Sequence, residues 1–270
     1  MNLTELKNNY DKYLRLNYDS YRTISSYTNC FEKFTNSNSR VYRMSSKELK
    51  EYFVSFREIY SVSYYNQMLS SVRIIFKLLK QPQKLNGIPY KKDTPKSVSI
   101  LSEEEIKNSL LLITNLKHRC IINLLYIGAL RISELQNIKL SDIDSKNKEI
   151  LISKSKGGVS RHIPISKRDI QELRSYFRKY RPKTYLFESI KKGKKYSTTS
   201  IRNVVKKIKT NKHVYPHLIR HSALTKLINN HNILKVQRFA GHKTPKSTQT
   251  YYHPTKEEMQ EMTLSLKEAS

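Results

Sequence analysis

The 270-residue sequence has no tryptophan, two cysteines and 22 acidic residues, and each scarcity excludes a class of protein. Cys30 and Cys120 lie far apart and neither has a partner at metal-ligand spacing, which excludes a disulfide framework and a cysteine zinc site. We expect two buried thiols and a reducing compartment. No apolar run approaches the roughly 18 residues that a membrane-spanning helix needs, and no apolar N-terminal segment follows a basic start. The sequence therefore predicts a cytoplasmic protein with no membrane partner.

The scarcity of acidic residues leaves a large excess of positive charge. Lysine and arginine number 51 against 22 aspartate and glutamate, a formal net charge of +29. Such an excess opposes compaction through self-repulsion and is typical of proteins that bind a polyanion. A codon bias towards lysine explains part of the lysine count, but it does not explain why the acidic residues lag so far behind. The composition therefore favours nucleic acid as the partner.

The distribution of apolar and helix-breaking residues predicts two domains. Residues 1–85 repeat apolar side chains at helical spacing in four segments, which indicates a helical bundle. Residues 86–98 are rich in proline and lysine and are predicted to be a linker. In residues 99–270, helical patterns flank one hairpin, in which the alternating runs EILIS and SRHIPI surround a turn with two glycines. The expected fold is mainly α with a small antiparallel β-sheet in the second domain.

The segment HLIRH places His217 and His221 four residues apart, a spacing with which helices present two zinc ligands. Leu218 stands where a zinc protease has its general base, and Arg220 puts a fixed positive charge between the histidines. No third ligand accompanies them at a suitable spacing. His217 and Arg220, three residues apart on a helix, are instead suited to bind an anion such as a phosphate. We therefore predict a phosphate site rather than a metal centre, with His221 as a structural residue.

Three further motifs are ambiguous when each is taken alone. Arg131 follows an apolar helix and precedes Glu134 by three residues, which is also the spacing of a surface ion pair. The hairpin turn carries Lys154 and Lys156, as turns of many basic proteins do. The segment GHKTPKSTQTYYHP contains a glycine–histidine pair and two tyrosines. A tyrosine acts as a nucleophile only if its oxygen is stabilised, because its ordinary pKa is about 10.

In this order and at this spacing, the motifs resemble those of the tyrosine recombinase family, which includes phage integrases and Xer-type recombinases. The resemblance covers about residues 101–254 and rests on ALRISE, the lysine-bearing hairpin, HLIR and GHKTPKSTQTYYH. It implies a two-domain architecture: an N-terminal helical domain that binds core DNA, and a mixed α/β catalytic domain with a C-terminal tail helix. One departure concerns Ala129, which stands where the family often has glycine, with Gly128 one residue earlier.

The resemblance also implies a role for each matching residue. The residues at the family's catalytic positions are Arg131, Lys156, His217, Arg220, His242 and Tyr251. The two arginines and two histidines would bind the scissile phosphate, and Glu134 would orient the site. The hairpin lysine would be the general acid for the departing 5′ oxygen, with Lys154 as the alternative to Lys156. Tyr251 would be the nucleophile that forms a 3′-phosphotyrosyl link, with the adjacent Tyr252 as its competitor.

The function that the resemblance implies is site-specific DNA recombination, in integration, excision or resolution, with no metal, other cofactor or ATP. Expected partners are double-stranded DNA with specific recombination sites, further copies of the chain in a homotetramer on synapsed DNA, and accessory DNA-bending or directionality proteins. A nucleoid-associated location follows. Two alternatives stay open: a DNA-relaxing or hairpin-forming strand transferase, similar to type IB topoisomerases or telomere resolvases, and a non-catalytic DNA-binding relative.

Overall fold

The structure of the chain is a computed structural model. It describes residues 2–38, 40–93, 99–153, 160–242, 244 and 246–249. The chain divides between Ser97 and Val98 into two compact units, each with its own hydrophobic core. Within the described ranges, no helix has the length and apolar character that crossing a membrane requires.

The described residues of the first unit form four α-helices. Their bounds are α1 (Leu3–Asn17), α2 (Tyr21–Ser37), α3 (Ser46–Ile59) and α4 (Val62–Leu78), with 3-10 turns at Val41–Arg43 and Pro82–Leu85. Ser45 is the N-cap of α3: its hydroxyl accepts a hydrogen bond from the N–H of Glu48, and the Glu48 carboxylate accepts one from the N–H of Ser45. The other three helices pack against α4, on which Leu69 and Val72 are fully buried. This arrangement confirms the predicted helical bundle.

The first unit extends beyond residue 85, where we predicted a linker to begin. Ile88 is buried in the core, and its carbonyl accepts a hydrogen bond from Arg73 at 2.9 Å. Asn66 on α4 exchanges two hydrogen bonds with the backbone of Lys91, at 2.8 and 2.9 Å. The linker composition of this segment is real, but one apolar side chain and these backbone groups attach it to α4.

The described residues of the second unit combine helices with a three-stranded antiparallel sheet whose strands pair in chain order. Its described elements are α5 (Glu103–Leu112), α6 (Leu116–Ile127), α7 (Ile132–Asn137), a 3-10 turn (Leu140–Asp142), β1 (Ile143–Asp144), β2 (Glu149–Ile152), β3 (Arg161–Pro164), α8 (Lys167–Tyr180), α9 (Thr198–Val205), α10 (Pro216–Asn230), α11 (Ile233–Ala240) and α12 (Lys246–Gln249). The register places Ile150 opposite Ile163 and Ile152 opposite Arg161, with all four side chains buried. The fold is therefore mainly α with a small antiparallel sheet, as predicted.

Helix α6 forms the centre of the second unit, because its sequence LKHRCIINLLYI is apolar on most of its surface. Helices α8, α9 and α10 pack against it. Cys120 on α6 is buried, as Cys30 is in the first unit, and burial raises the pKa of both thiols. Both cysteines are therefore core residues. The C-terminal end of α6 leads directly into the candidate site.

Candidate active site

A buried carboxylate, that of Glu134 on α7, lies among three arginines from different elements. Arg161 on β3 donates two hydrogen bonds to it, from Nη1 to Oε1 at 3.1 Å and from Nη2 to Oε2 at 3.0 Å. Arg131 donates from Nη1 to Oε1 at 2.8 Å and from its backbone N–H to Oε2 at 2.8 Å. Nη1 of Arg220 on α10 lies 3.6 Å from Oε2. One residue of the short helix α7 thus joins three separate parts of the unit.

The charges of these residues decide the ionisation of Glu134. Burial alone would raise the pKa of this carboxyl, but the hydrogen bonds and charge of Arg161, the Arg131 N–H and the charge of Arg220 outweigh it and lower the pKa. Glu134 is therefore ionised at neutral pH. One carboxylate against three guanidiniums leaves the cluster with a net charge of +2, so the site attracts anions.

The end of α6 determines where Arg131 lies. Ala129 has φ +43°, in the left-handed region, and the N–H groups of Ala129 and Leu130 donate to the carbonyls of Tyr126 and Leu125. These two bonds form the Schellman motif, whose left-handed position is usually glycine. A Cβ on Gly128 would lie 2.9 Å from Ile163 Cδ1 and 3.1 Å from the carbonyl oxygen of Leu124, so an alanine at position 128 would require its neighbours to shift. The left-handed position is therefore occupied here by an alanine, and Arg131 follows it in extended backbone as the N-cap of α7.

Arg161 is a site residue that lies outside the predicted set. Its side chain is 7% exposed and packs directly against the backbone of Gly241, where an added Cβ would lie 2.7 Å from Nη1. Gly241 also has φ +63° and ends α11. The alternation in SRHIPI could have identified Arg161, because it places this arginine on the same face as the buried Ile163. A charged residue on a buried face requires a buried partner, which is Glu134.

Arg220 is almost completely buried, at 1% exposure. Its Nη1 donates to the carbonyl of Ala129, and its Nη2 donates to the carbonyl of Ala240 at 2.8 Å. Nη2 also lies 2.8 Å from Nε2 of His242. Arg220 therefore joins the end of α6, the end of α11 and the histidine that follows. Arg131, with 35% of its side chain exposed, is the more accessible of the two predicted phosphate-binding arginines.

The two predicted histidines occupy different environments. His217 is the second residue of α10 and reaches the surface, and its pKa is lowered by partial shielding from water and by the charges of Arg220 and Arg131. His242 is buried, with 8% exposure. Burial and the charges of nearby arginines lower its pKa to about 4, so its ring is neutral at physiological pH. Both rings face positive charge.

The described structure brings together Arg131, Glu134, Arg220 and His242 through direct contacts, with His217 one turn before Arg220 on the same helix face. Lys156 and its alternative Lys154 lie outside the described residues, as do Tyr251 and its competitor Tyr252. In the described part of the chain, no group of three or more His, Cys, Asp or Glu side chains is arranged to hold a metal ion.

Comparison with known proteins places the chain in a family. The sequence model of the phage integrase family matches residues 100–258, more than half of the chain. The chain belongs to the phage integrase family. Two relatives are tyrosine recombinase XerA of Pyrococcus horikoshii (30% identical over 259 residues, 92% of this chain and 89% of the relative) and tyrosine recombinase XerC of Proteus mirabilis (30% identical over 184 residues, 65% and 58%). The protein is therefore a tyrosine recombinase, a DNA strand transferase of the kind that performs site-specific recombination.

Solved structures of integrases share the fold. One is the Tn1549 transposon integrase in complex with transposon right-end DNA, with a TM-score of 0.76, 19% identity and coverage of 97% of this chain and 99% of that one. Another is a lambda integrase tetramer bound to a Holliday junction, with a TM-score of 0.75, 14% identity and coverage of 94% and 78%. The mainly helical fold of this chain, with its small antiparallel sheet, is thus the fold of these integrases.

Proposed function

We propose that this tyrosine recombinase breaks and rejoins DNA at specific sites, with Tyr251 as the nucleophile and Arg131, Arg220, His217 and His242 as the phosphate-binding residues. The observation that carries the proposal is the convergence of Arg131 and Arg220 on Glu134. It leaves a cluster with net positive charge whose most accessible member, Arg131, has its guanidinium held by a buried carboxylate. The family membership of the chain supports the same assignment.

The chemistry requires a site that stabilises negative charge. Attack of the Tyr251 oxygen on the phosphorus forms a pentacoordinate phosphorane that carries more negative charge than the phosphodiester. Guanidinium groups bind two such oxygens at once and remain charged at any pH of interest. Hydrogen-bond donors held in place for a developing oxyanion typically contribute about 10²–10³ in rate each. Glu134 and Arg161 act indirectly, because they hold Arg131 and Arg220 in position.

The reaction is balanced without an external energy source. A bond forms between the Tyr251 oxygen and phosphorus, and the bond from phosphorus to the 5′ oxygen breaks. Lys156, with Lys154 as the alternative, donates a proton to the departing 5′ oxygen, and the phenol proton leaves to solvent or a base. The resulting 3′-phosphotyrosyl ester replaces one phosphodiester bond with another, so the 5′ hydroxyl of a second strand can reverse the step and complete an exchange.

Both units carry the charge that DNA binding requires. Residues 1–97 contain 17 basic and 8 acidic side chains, a net charge of +9, and residues 98–270 contain 34 and 14, a net charge of +20. We assign core DNA binding to the first unit and catalysis to the second. A homotetramer on synapsed recombination sites is part of the proposal, and the lambda integrase tetramer on a Holliday junction, which shares the fold, supports it. Accessory DNA-bending or directionality proteins complete the set of proposed partners.

A covalent trapping experiment tests the nucleophile on many DNA sequences at once. Full-length protein is incubated with a pool of random-sequence duplexes that carry a single nick, and adducts are separated on a denaturing gel and sequenced. Wild type and Tyr252→Phe should form an adduct, whereas Tyr251→Phe should form none. An adduct that survives Tyr251→Phe and is lost in Tyr252→Phe would reverse the assignment.

The same protein and the trapped DNA sequence also distinguish the recombinase from the two alternative functions. Relaxation of a supercoiled plasmid that lacks the trapped sequence would indicate a topoisomerase-like strand transferase. Tight DNA binding with no adduct from any member of the pool would indicate a non-catalytic relative. Recombination between two copies of the trapped sequence, and not between unrelated sequences, is the result that the proposal expects.

A further inference from the structure

The ring of His242 has a hydrogen-bond partner at each nitrogen. Its Nε2 lies 2.8 Å from Nη2 of Arg220, and its Nδ1 lies 2.8 Å from Oγ1 of Thr248. Thr248 lies on α12 and is fully buried, at 0% exposure. No motif of the sequence analysis assigns a role to Thr248, although it stands only three residues before Tyr251.

The two partners together decide which nitrogen carries the proton. A guanidinium donates hydrogen bonds and accepts none, so the Nε2 that faces Arg220 must be the acceptor and must be unprotonated. The proton is then on Nδ1, which donates to the hydroxyl of Thr248. Three cations face the ring, Arg220 from α10, Arg131 from the start of α7 and Arg161 from β3, against the single carboxylate of Glu134. This surplus of positive charge disfavours a ring protonated at both nitrogens.

This tautomer differs from the one that the proposed function needs. Nε2 is the nitrogen that points towards the arginine cluster, so it is Nε2 that must donate a hydrogen bond to a bound phosphate. When Arg220 turns its Nη2 to a phosphate oxygen, Nε2 loses its donor and can take up a proton, while Nδ1 releases one to water. The ring stays neutral and the net proton change is zero.

We propose that Thr248 is a positioning residue that permits this exchange of tautomers in His242. Its hydroxyl accepts from Nδ1–H in the free protein and, after rotation about its C–O bond, donates to the unprotonated Nδ1 when phosphate occupies the site. A hydroxyl satisfies both states because it carries one donor and two acceptor lone pairs. An aliphatic side chain of the same shape satisfies neither state. The inference rests on the role proposed for His242.

Nuclear magnetic resonance of the histidine ring nitrogens tests the exchange directly. Full-length protein with ¹⁵N-labelled histidine is measured alone and with orthovanadate, a tetrahedral phosphate analogue that becomes pentacoordinate when an oxygen nucleophile adds to it, and His242 is assigned from the spectrum of His242→Gln. Wild type should carry its proton on Nδ1 alone and on Nε2 with orthovanadate. Thr248→Ser should show the same exchange, and Thr248→Val should not. A free protein with the proton on Nε2, or an exchange that persists in Thr248→Val, overturns the inference.

Adduct formation provides a second and independent readout. On the trapped duplex, Thr248→Val should slow single-turnover adduct formation by about 10- to 100-fold, the effect of one unsatisfied buried hydrogen bond, with duplex affinity within about twofold of wild type. Thr248→Ser should restore the rate to within about threefold. Equal losses in the serine and valine variants would show that the methyl group matters and the hydroxyl does not, which contradicts the proposal.

A matched control is available on α10. Thr225 also has a buried hydroxyl, and no described residue hydrogen-bonds to it. Thr225→Val therefore makes the same chemical change away from His242 and should leave both the tautomer and the adduct rate unchanged. If wild type forms no adduct on any duplex, the proposed function fails, while the ring-nitrogen measurement on the free protein still decides the tautomer.

Discussion

The two units of the molecule bury different kinds of polar group. In the first unit the buried polar contacts are between neutral groups, as between the hydroxyls of Tyr10 and Ser71 at 2.7 Å. Its cations stay near the surface, and Lys33 lies 4.0 Å from the centre of the Tyr60 ring. In the second unit Glu134, Arg161 and Arg220 are all buried. Among the described residues, every buried charged side chain belongs to the second unit.

The roles proposed for the two units account for this difference. Removing a charge from water costs several kcal/mol and is tolerated only where partners compensate for it. A helical scaffold has no need of such groups. A site that stabilises a phosphorane needs guanidiniums in fixed positions, and the buried carboxylate holds them there. The histidines are also confined to one unit: all eight lie after residue 97, in the second unit.

The largest loss of stability is expected when the buried carboxylate of Glu134 no longer compensates the arginines around it. Glu134→Gln keeps the shape of the side chain but leaves three arginines without their carboxylate, and it should lower the free energy of unfolding by about 3–5 kcal/mol. Urea denaturation of the full chain measures this. Glu103→Gln removes the same charge from an exposed ion pair with Lys226 and should give no measurable change. Equal losses in the two variants would contradict the central position of Glu134.

A glycine-to-alanine substitution in each unit shows how well that unit tolerates an added methyl group. Gly241→Ala introduces a Cβ 2.7 Å from Arg161 Nη1 at a left-handed φ, so it should destabilise the protein by about 2–4 kcal/mol. Gly87 in the first unit also has positive φ, but its new Cβ would meet only the end of Lys50 at 3.6 Å. Gly87→Ala should therefore cost about 1 kcal/mol, the backbone contribution alone. Thermal or urea unfolding of the two variants measures the difference.

The pH dependence of stability should also come from the second unit. The pKa of His242 is about 4 in the folded protein and 6.5 when unperturbed. Between these values the unfolded ring binds a proton that the folded ring does not, so the free energy of unfolding should fall as pH decreases from 6.5 to 4. His242→Gln should reduce this slope in urea titrations at about pH 7 and about pH 5, on either side of the unperturbed value. It should not abolish the slope, because the pKa values of His118 and His217 are lowered too. A slope equal to that of wild type would show that His242 does not contribute.

The smallest effect is expected for a neutral buried pair in the first unit. Tyr10→Phe removes the hydroxyl that contacts Ser71, but Ser71 retains the Tyr27 carbonyl at 3.4 Å as a partner. The free energy of unfolding should fall by about 1 kcal/mol, and the rate of adduct formation on the trapped duplex should not change. A loss as large as that of Glu134→Gln would remove the distinction between the two units.

Much of the fold could be predicted because local rules agree with the tertiary structure. Ser45 with Glu48 and Ser102 with Glu105 form capping boxes at the helix starts that the sequence indicates. The hairpin follows from strict alternation on both sides of the glycines. The composition of residues 86–98 suits a linker, but composition does not reveal that Ile88 finds a place in the core of the first unit.

The candidate site could be predicted only in part. The residues of its motifs follow the order and spacing of a known family, and Arg131, Glu134, Arg220 and His242 do come together. The alternation of SRHIPI places Arg161 on a buried face without indicating its partner, and Thr248 lies inside the segment GHKTPKSTQTYYH without a role of its own. Their roles depend on partners 27 and 6 residues away, which only packing brings into contact.

By itself, the sequence determined the class of protein, the helices and the hairpin, because composition, periodicity and capping are properties of neighbouring residues. It also determined which side chains are available for phosphate chemistry. The tertiary structure decided which of them share one carboxylate, that Ala129 takes the left-handed position at the end of α6, and that His242 faces Arg220 through Nε2 and Thr248 through Nδ1. These outcomes depend on distances between elements remote in the chain, where a few ångströms determine whether a charge is compensated or a proton is shared.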